Sequence, residues 1–329
     1  MLNPQAKLSK KLFQPDIEQV PARDGYGKGL VWLGENNPNV VVLTGDLSES
    51  TRSHWFAEKF PKRFIEVGVA EQNMMGIAAG LALSGKIPFV SSYATFNPGR
   101  NWDQLRVSVA YSQANVKIAG AHAGISVGPD GATHQALEDI AITRVIPDLV
   151  VIVPCDFEET KKATIAAAQE IKGPVYLRFG REKTPVMTTP ETPFKVGRAE
   201  VLREGKDVAI IGSGFVVYNA LLAAEELHKE GIECLGGNNH TIKPIDRKTL
   251  TAAAKKCGAV VTVEEHQING GAGSAVIEVL AEEYPVPVER VGMPDSFGES
   301  GQPAELIQKY GMDKDAIVKA VRKVLKRKK

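Results

Sequence analysis

Short apolar runs alternate with longer stretches in which apolar residues recur every three or four positions, and this rhythm persists along nearly the whole chain. After Asp24, the spacing of Tyr26, Leu30, Val31 and Leu33 predicts a helix that stops near Asn36-Asn37-Pro38. Val40 to Leu43 is a continuous apolar strand, and Thr44-Gly45-Asp46-Leu47-Ser48 is the loop leaving its end. Further strands are predicted at 64–67, 87–92, 116–120, 149–153 and 175–179, interleaved with helices at 70–84, about 100–113, 135–143 and 156–171. Uninterrupted apolar strands separated by helices predict a parallel sheet covered on both faces. Ligands of such sheets gather at the carboxyl ends of the strands.

Residues 181–197 break the rhythm, with Pro185, Pro190 and Pro193 set among threonines and charges, and read as a linker. A second, smaller set of alternations follows. Its strands are predicted at 207–211, 232–235, 259–263 and 287–291, and its helices at 216–230, 246–256, 271–283, 303–309 and 314–326. The expected fold class is α/β, with two domains each built on a parallel sheet. Residues 1–22 would be an N-terminal extension, 23–180 the first domain and 198–329 the second.

Composition narrows the function classes. At 329 residues and 35.5 kDa the chain can bury two cores. Forty basic and thirty-nine acidic residues leave a formal charge of +1, so bulk electrostatics draws it to neither nucleic acid nor membrane. No apolar run reaches about 18 residues and the N-terminus lacks a secretory core, so a soluble, cytoplasmic protein is expected. Cys155, Cys234 and Cys257 are odd in number and far apart, which predicts reduced thiols. The basic C-terminus reads as an amphipathic helix with cations at the end its dipole favours.

Four stretches carry candidate chemistry. In Phe64–Gly80 a short strand meets a glycine turn, and Glu71 then opens a helix with almost no polar face, as for a helix surrounded by protein. Glu71 is either a helix-end charge or a carboxyl group in an apolar setting, kept to exchange a proton with a heterocycle. In Ala121–Gln135 the loop glycines Gly124, Gly128 and Gly131 with Pro129 predict an extended loop that brings His122, Asp130 and His134 to one sheet edge. Their spacing is not a usual zinc pattern; binding a polyhydroxylated substrate suits them better. Tyr93, Phe96 and Trp102 either cap the core or stack on a flat heterocycle. Gly212-Ser213-Gly214 lies between strand and helix, but Val217 stands where a third dinucleotide-loop glycine belongs, so a tight turn is expected. Arg23, Arg100 and Arg181 lie at element mouths, where guanidinium forks can hold phosphate.

Taken together these residues resemble the pyrimidine-binding and C-terminal domains of transketolase, from about Arg23 to the end of the chain. Val69-Ala70-Glu71-Gln72-Asn73 looks like the family's segment with the cofactor-activating glutamate. Val127–Gln135 looks like its substrate loop. Deoxyxylulose phosphate synthases share both motifs, and Phe96–Gln104 resembles their aromatic and arginine segment with one residue inserted. Leu235–His240 is more polar than the family's strand at that place. The Gly-Asp-Gly that marks the family's diphosphate-binding domain does not occur in the chain.

The resemblance therefore implies the second subunit of a split transketolase. A partner chain, the N-terminal subunit, would hold the diphosphate and Mg²⁺ of thiamine diphosphate, in a heterotetramer of two copies of each chain. It implies transfer of a two-carbon ketol unit from a ketose phosphate to an aldose phosphate. Glu71 would bond the aminopyrimidine, Phe96 with Tyr93 or Trp102 would stack on it, and Asp46 would lie near the cofactor. His122, Asp130 and His134 would bind substrate hydroxyls, with the histidines assisting proton transfer; Arg23, Ser50, Arg100 and Arg181 complete the substrate site. Half of a deoxyxylulose phosphate synthase, the beta subunit of a 2-oxoacid dehydrogenase, a nicotinamide enzyme built on Gly212–Gly214 and a non-catalytic docking subunit remain as alternatives.

Overall fold

The computed structural model describes residues 1–328. The first domain opens with β1 (Gln19–Pro21), α1 (Ala22–Asn36) and β2 (Val40–Thr44), then α2 (Ser48–Thr51), α3 (His54–Lys59) and β3 (Phe64–Glu66). Next come α4 (Glu71–Leu83), β4 (Ile87–Tyr93), α5 (Trp102–Gln104) and β5 (Lys117–Ala121). It closes with α6 (Asp139–Arg144), β6 (Val150–Ile152), α7 (Phe157–Gln169), β7 (Val175–Arg178) and β8 (Lys183–Pro185). The second domain holds β9 (Glu200–Arg203), β10 (Val208–Gly212), α8 (Val216–Lys229), β11 (Cys234–Asn238), β12 (Thr241–Lys243) and α9 (Arg247–Cys257). It ends with β13 (Val260–Gln267), α10 (Ala272–Glu283), β14 (Val288–Met293), α11 (Pro303–Lys309) and α12 (Lys314–Leu325).

Both expected sheets are present, each with one antiparallel edge that periodicity does not announce. The first runs β12-β6-β7-β5-β4-β2-β3 and is parallel except at β12. The second runs β14-β13-β10-β11-β9 and is parallel except at β9. Strand β12 belongs by sequence to the second domain yet pairs with β6 of the first, so the two domains share a sheet edge. The apolar strands are buried on both faces, one against α4 and the other against α1 and α7. Among the described residues no helix is long and apolar enough to cross a membrane.

Several local expectations change. The single helix expected over 100–113 is a short α5 followed by a wide π-type turn, Leu105–Tyr111, a distortion that recurs beside functional sites. The helix expected at 135–143 begins only at Asp139, because Ala136 is drawn into a parallel bridge with Ala123. Residues 1–22 and 181–197 are tied to each other: β1 pairs antiparallel with β8, and Leu12 and Ile17 bury with Met187 and Leu221. The three cysteines are free and buried, and α12 buries Ile317, Val318, Val321 and Val324 as an amphipathic helix should. Gly212–Gly214 forms the tight turn from β10 into α8. The polar Asn238 in β11 donates from its Nδ2 to Glu159 of the first domain at 2.8 Å.

Candidate active site

Five adjacent strands, in the order β7-β5-β4-β2-β3, present their carboxyl ends along one edge, and nearly every candidate residue lies just beyond one of them. Asp46 and Ser50 follow β2, Glu71 follows β3, Tyr93 closes β4, His122 follows β5 and Arg181 follows β7; Arg23 enters in the first turn of α1. Three residues there hold a left-handed backbone despite their side chains: Asp46 (φ 61°), Arg52 (φ 66°) and His122 (φ 52°). Non-glycine residues in that region are strained, and such strain collects where function over-determines geometry.

Glu71 is the first residue of α4 and is 1% exposed. Its carboxylate is held in an ion pair. Arg100 Nη1 donates to both carboxylate oxygens, at 3.0 and 2.8 Å, and Asn101 Nδ2 donates to the Glu71 main-chain oxygen at 3.2 Å. A carboxylate withdrawn from water needs such a counter-charge. The Arg100 side chain is 47% exposed and lies over the Phe96 ring at 4.5 Å, so the ion pair forms one wall of an aromatic corner.

Phe96 and Tyr93 lie with ring centroids 6.1 Å apart at 15°. The Tyr93 ring lies 4.1 Å from that of His122, tilted by 31°, and His134 meets Phe96 edge-on at 5.4 Å. Both histidines of the glycine loop therefore join the aromatic pair, which carries the site continuously from Glu71 to His122. Trp102 does not join it. Its indole N–H donates to Ile142 O at 2.7 Å and its ring packs on the core beneath α4, so it braces the site from behind.

His122 is buried, and its Nε2 lies 3.2 Å from Ser50 O and 3.4 Å from Arg23 Nη1. Burial, followed by the charges of Arg23 and Arg181, pushes its pKa down to about 3, so the imidazole is neutral. With the Nε2 hydrogen given to Ser50 O, the buried Nδ1, which has no partner, is left as a bare acceptor. Because the folded value lies below the ordinary 6.5, the stability this residue contributes is complete above about 6.5 and is lost as the pH falls toward about 3. Nitrogen chemical shifts of the His122 ring are therefore expected to stay constant from pH 8 to 5; a titration near 6.5 would contradict this.

Arg23 Nη1 also donates to Ser50 O at 3.1 Å. Ser50, expected in the substrate site, meets Arg23 and His122 through its main-chain oxygen. Arg181 Nη1 bonds Val127 O at 3.1 Å and stands 3.5 Å from Asp130 Oδ1, tying the far end of the glycine loop to β7. Asp46 is exposed, at the rim. Sequence reading missed two neighbours. Glu66 Oε1 accepts from the N–H groups of Asp46 and Gly68, clasping the turn that leads to Glu71. Arg52, paired with Asp24 at 2.7 Å, adds a third guanidinium charge acting on His122. A neutral histidine, three arginines and an aromatic wall beside a buried carboxylate suit an anionic, hydroxyl-rich substrate next to a flat ring. Among the described residues no group of three His, Cys, Asp or Glu side chains is placed to hold a metal ion.

Residues 18–187 match the transketolase pyrimidine binding domain, and residues 197–317 the transketolase C-terminal domain. A putative transketolase C-terminal section from Methanocaldococcus jannaschii is 46% identical over 308 residues, spanning 93% of this chain and 96% of that protein. A 6-deoxy-6-sulfo-D-fructose transketolase subunit from a Clostridium species is 41% identical over 316 residues, 96% of this chain and 98% of its own length. A solved split-gene transketolase, described as an inactive β4 tetramer, is 49% identical with a TM-score of 0.88, covering 94% of this chain and all of that one. The chain belongs to the transketolase family and carries its pyrimidine-binding and C-terminal domains.

Proposed function

We propose that this chain is one subunit of a two-chain transketolase, moving a two-carbon ketol unit from a ketose phosphate to an aldose phosphate in the cytoplasm, as in the pentose phosphate pathway. The observation that carries this reading is the continuous wall from Glu71 through Arg100, Phe96 and Tyr93 to His122 at the edge of five parallel strands. Thiamine diphosphate, when bound, supplies the electron sink for carbon–carbon cleavage. Glu71 would hold a proton at a nitrogen of its pyrimidine ring, with Phe96 and Tyr93 against the ring face and Asp46 at the rim. Arg100, half exposed, can hydrate when Glu71 takes that hydrogen bond. His122 Nδ1 would accept from a substrate hydroxyl, Asp130 and His134 would bind hydroxyls farther along the sugar, and Arg23 and Arg181 would hold the phosphate.

The diphosphate and Mg²⁺ are assigned to a partner chain carrying Gly-Asp-Gly, in an α2β2 assembly. The face it would cover begins beside Glu71. On α4, Gly76 and Gly80 are exposed with open space where a Cβ would stand, next to exposed Val69 and Leu83; Tyr111 on the π-type turn is 88% exposed. Two glycines in an exposed helix interior each cost about 1 kcal/mol relative to alanine, a loss that close approach of another backbone would offset. The β4 assembly of the solved relative shows that a similar chain also associates with itself when alone.

The sulfofructose relative keeps a second donor class in view. Assaying the reconstituted complex with xylulose 5-phosphate, 6-deoxy-6-sulfofructose and pyruvate separates the readings. Ketol transfer to ribose 5-phosphate from the phosphorylated donor supports the proposal. Turnover of pyruvate alone would overturn it.

A further inference from the structure

The loop bearing His122, Asp130 and His134 belongs to the first domain, yet the second domain holds it down along its length. Glu265, on β13, is 3% exposed, and its carboxylate accepts the main-chain N–H of Ser126. The same carboxyl group lies under Gly124, whose φ is 87°; a Cβ there would stand 2.3 Å from Glu265 Cδ. Farther along, Gln135 Nε2 donates to Ile125 O at 3.2 Å, to Gly128 O at 3.4 Å and to Glu299 O of the second domain at 2.9 Å. The 3₁₀ turn at 125–130 packs against α11. Behind it, Arg178 donates to Asp139 Oδ2 at 2.8 Å and to the main-chain oxygen of Glu265 at 2.7 Å, and Tyr176 donates to the same Asp139 oxygen at 2.7 Å.

A loop with three glycines loses much conformational freedom when it is fixed. Burial pushes the Glu265 carboxyl up to about 7, and in its ionised form the bond it accepts from a backbone N–H is charge-assisted, stronger than a neutral one, and offsets part of that. Burying a carboxylate is itself unfavourable, and Arg178 is satisfied by Asp139 and by a main-chain oxygen without the Glu265 carboxyl. The carboxyl makes no hydrogen bond to Arg178, whose charge reaches it only through space. What it contacts is the turn between His122 and the 3₁₀ segment that ends at Asp130.

We propose that Glu265 is a positioning residue of the second domain, which fixes the Gly124–Ser126 turn and so sets where His122, Asp130 and His134 stand against Phe96 and Arg23. This rests on the reading of that loop as the substrate-binding loop. It gives the second domain a direct part in substrate recognition, through a side chain that never touches substrate.

Two variants test it. In Glu265→Ala the acceptor is lost while Arg178 keeps its other bonds; in Glu265→Gln an amide oxygen still accepts from Ser126. Amide hydrogen exchange of the isolated chain is expected to rise about 10- to 100-fold over residues 122–135 in the alanine variant, with α1 and α7 unchanged and glutamine restoring protection. In the assembled enzyme the alanine variant is expected to raise KM for the ketose phosphate about 10-fold or more, with kcat falling by less than KM rises, and glutamine to return KM to within about threefold of wild type. Unchanged exchange over 122–135 in Glu265→Ala would overturn the proposal, as would a kcat loss at constant KM or failure of glutamine to rescue. Should the wild-type complex transfer no ketol unit, the exchange arm still decides the role of Glu265.

Discussion

Replacing Glu71 by alanine in the assembled enzyme is expected to lower kcat by about 100- to 10,000-fold, the range spanned by positioned acid–base groups, while fold and assembly survive. The structure separates the two effects. Glu71 is buried, but its counter-ion Arg100 is half exposed and rests on Phe96, so truncation leaves a cation that water can reach rather than a stranded buried charge. The helix loses one favourable carboxylate from its first turn, worth about 0.3–1 kcal/mol, and Asn101 keeps its bond to the residue-71 main chain. Thermal melting should therefore shift by only a few degrees while turnover collapses. Glu71→Gln keeps shape and hydrogen bonding but cannot exchange a proton as a carboxylate does, and should lose nearly as much activity. Single-turnover kinetics beside size-exclusion profiles would check both variants; near-wild-type turnover in either would remove Glu71 from its assigned role.

The second large effect is expected at the exposed face of α4. Gly76→Leu and Gly80→Leu place side chains where the isolated subunit has open space, and leucine has the better helix propensity by several tenths of a kcal/mol. The single subunit should fold as well as before or slightly better. Its complex with the diphosphate-binding partner should fail to form, and activity should vanish with it, because a face built on glycine admits a partner backbone too close for a leucine. Sedimentation of the mixed subunits reads this directly. Wild-type association by both variants would place the interface elsewhere.

How much of this was legible in the sequence depended on the range of the interactions involved. Strand ends and the glycine loop follow from local periodicity and backbone chemistry, so Glu71, His122, Asp130, His134 and Arg181 fall at one edge as the pattern implies. Of the two aromatics offered beside Phe96, Tyr93 joins it and Trp102 packs on the core, because α5 is only three residues long before the π-type turn and no apolar period fixes which side its indole faces. The burial of Glu71 was foreseen, but its ion pair was not, because Arg100 reaches it across 29 residues of sequence. Ser50 meets Arg23 and His122 through its main-chain oxygen, a contact that no side-chain pattern announces. Glu66, Arg52 and Glu265 left no local signal, being charged residues in ordinary surroundings until the fold brings them to the loop. The same holds for β12, a three-residue strand whose partner lies in the other domain.

The most direct test of the two-subunit account is a titration of this chain with its Gly-Asp-Gly partner, in the presence of thiamine diphosphate and Mg²⁺, following ketol transfer from xylulose 5-phosphate to ribose 5-phosphate. Neither chain alone should turn over, and activity should rise linearly and level off at a one-to-one ratio. Turnover by this chain alone, or none at any ratio, would contradict it.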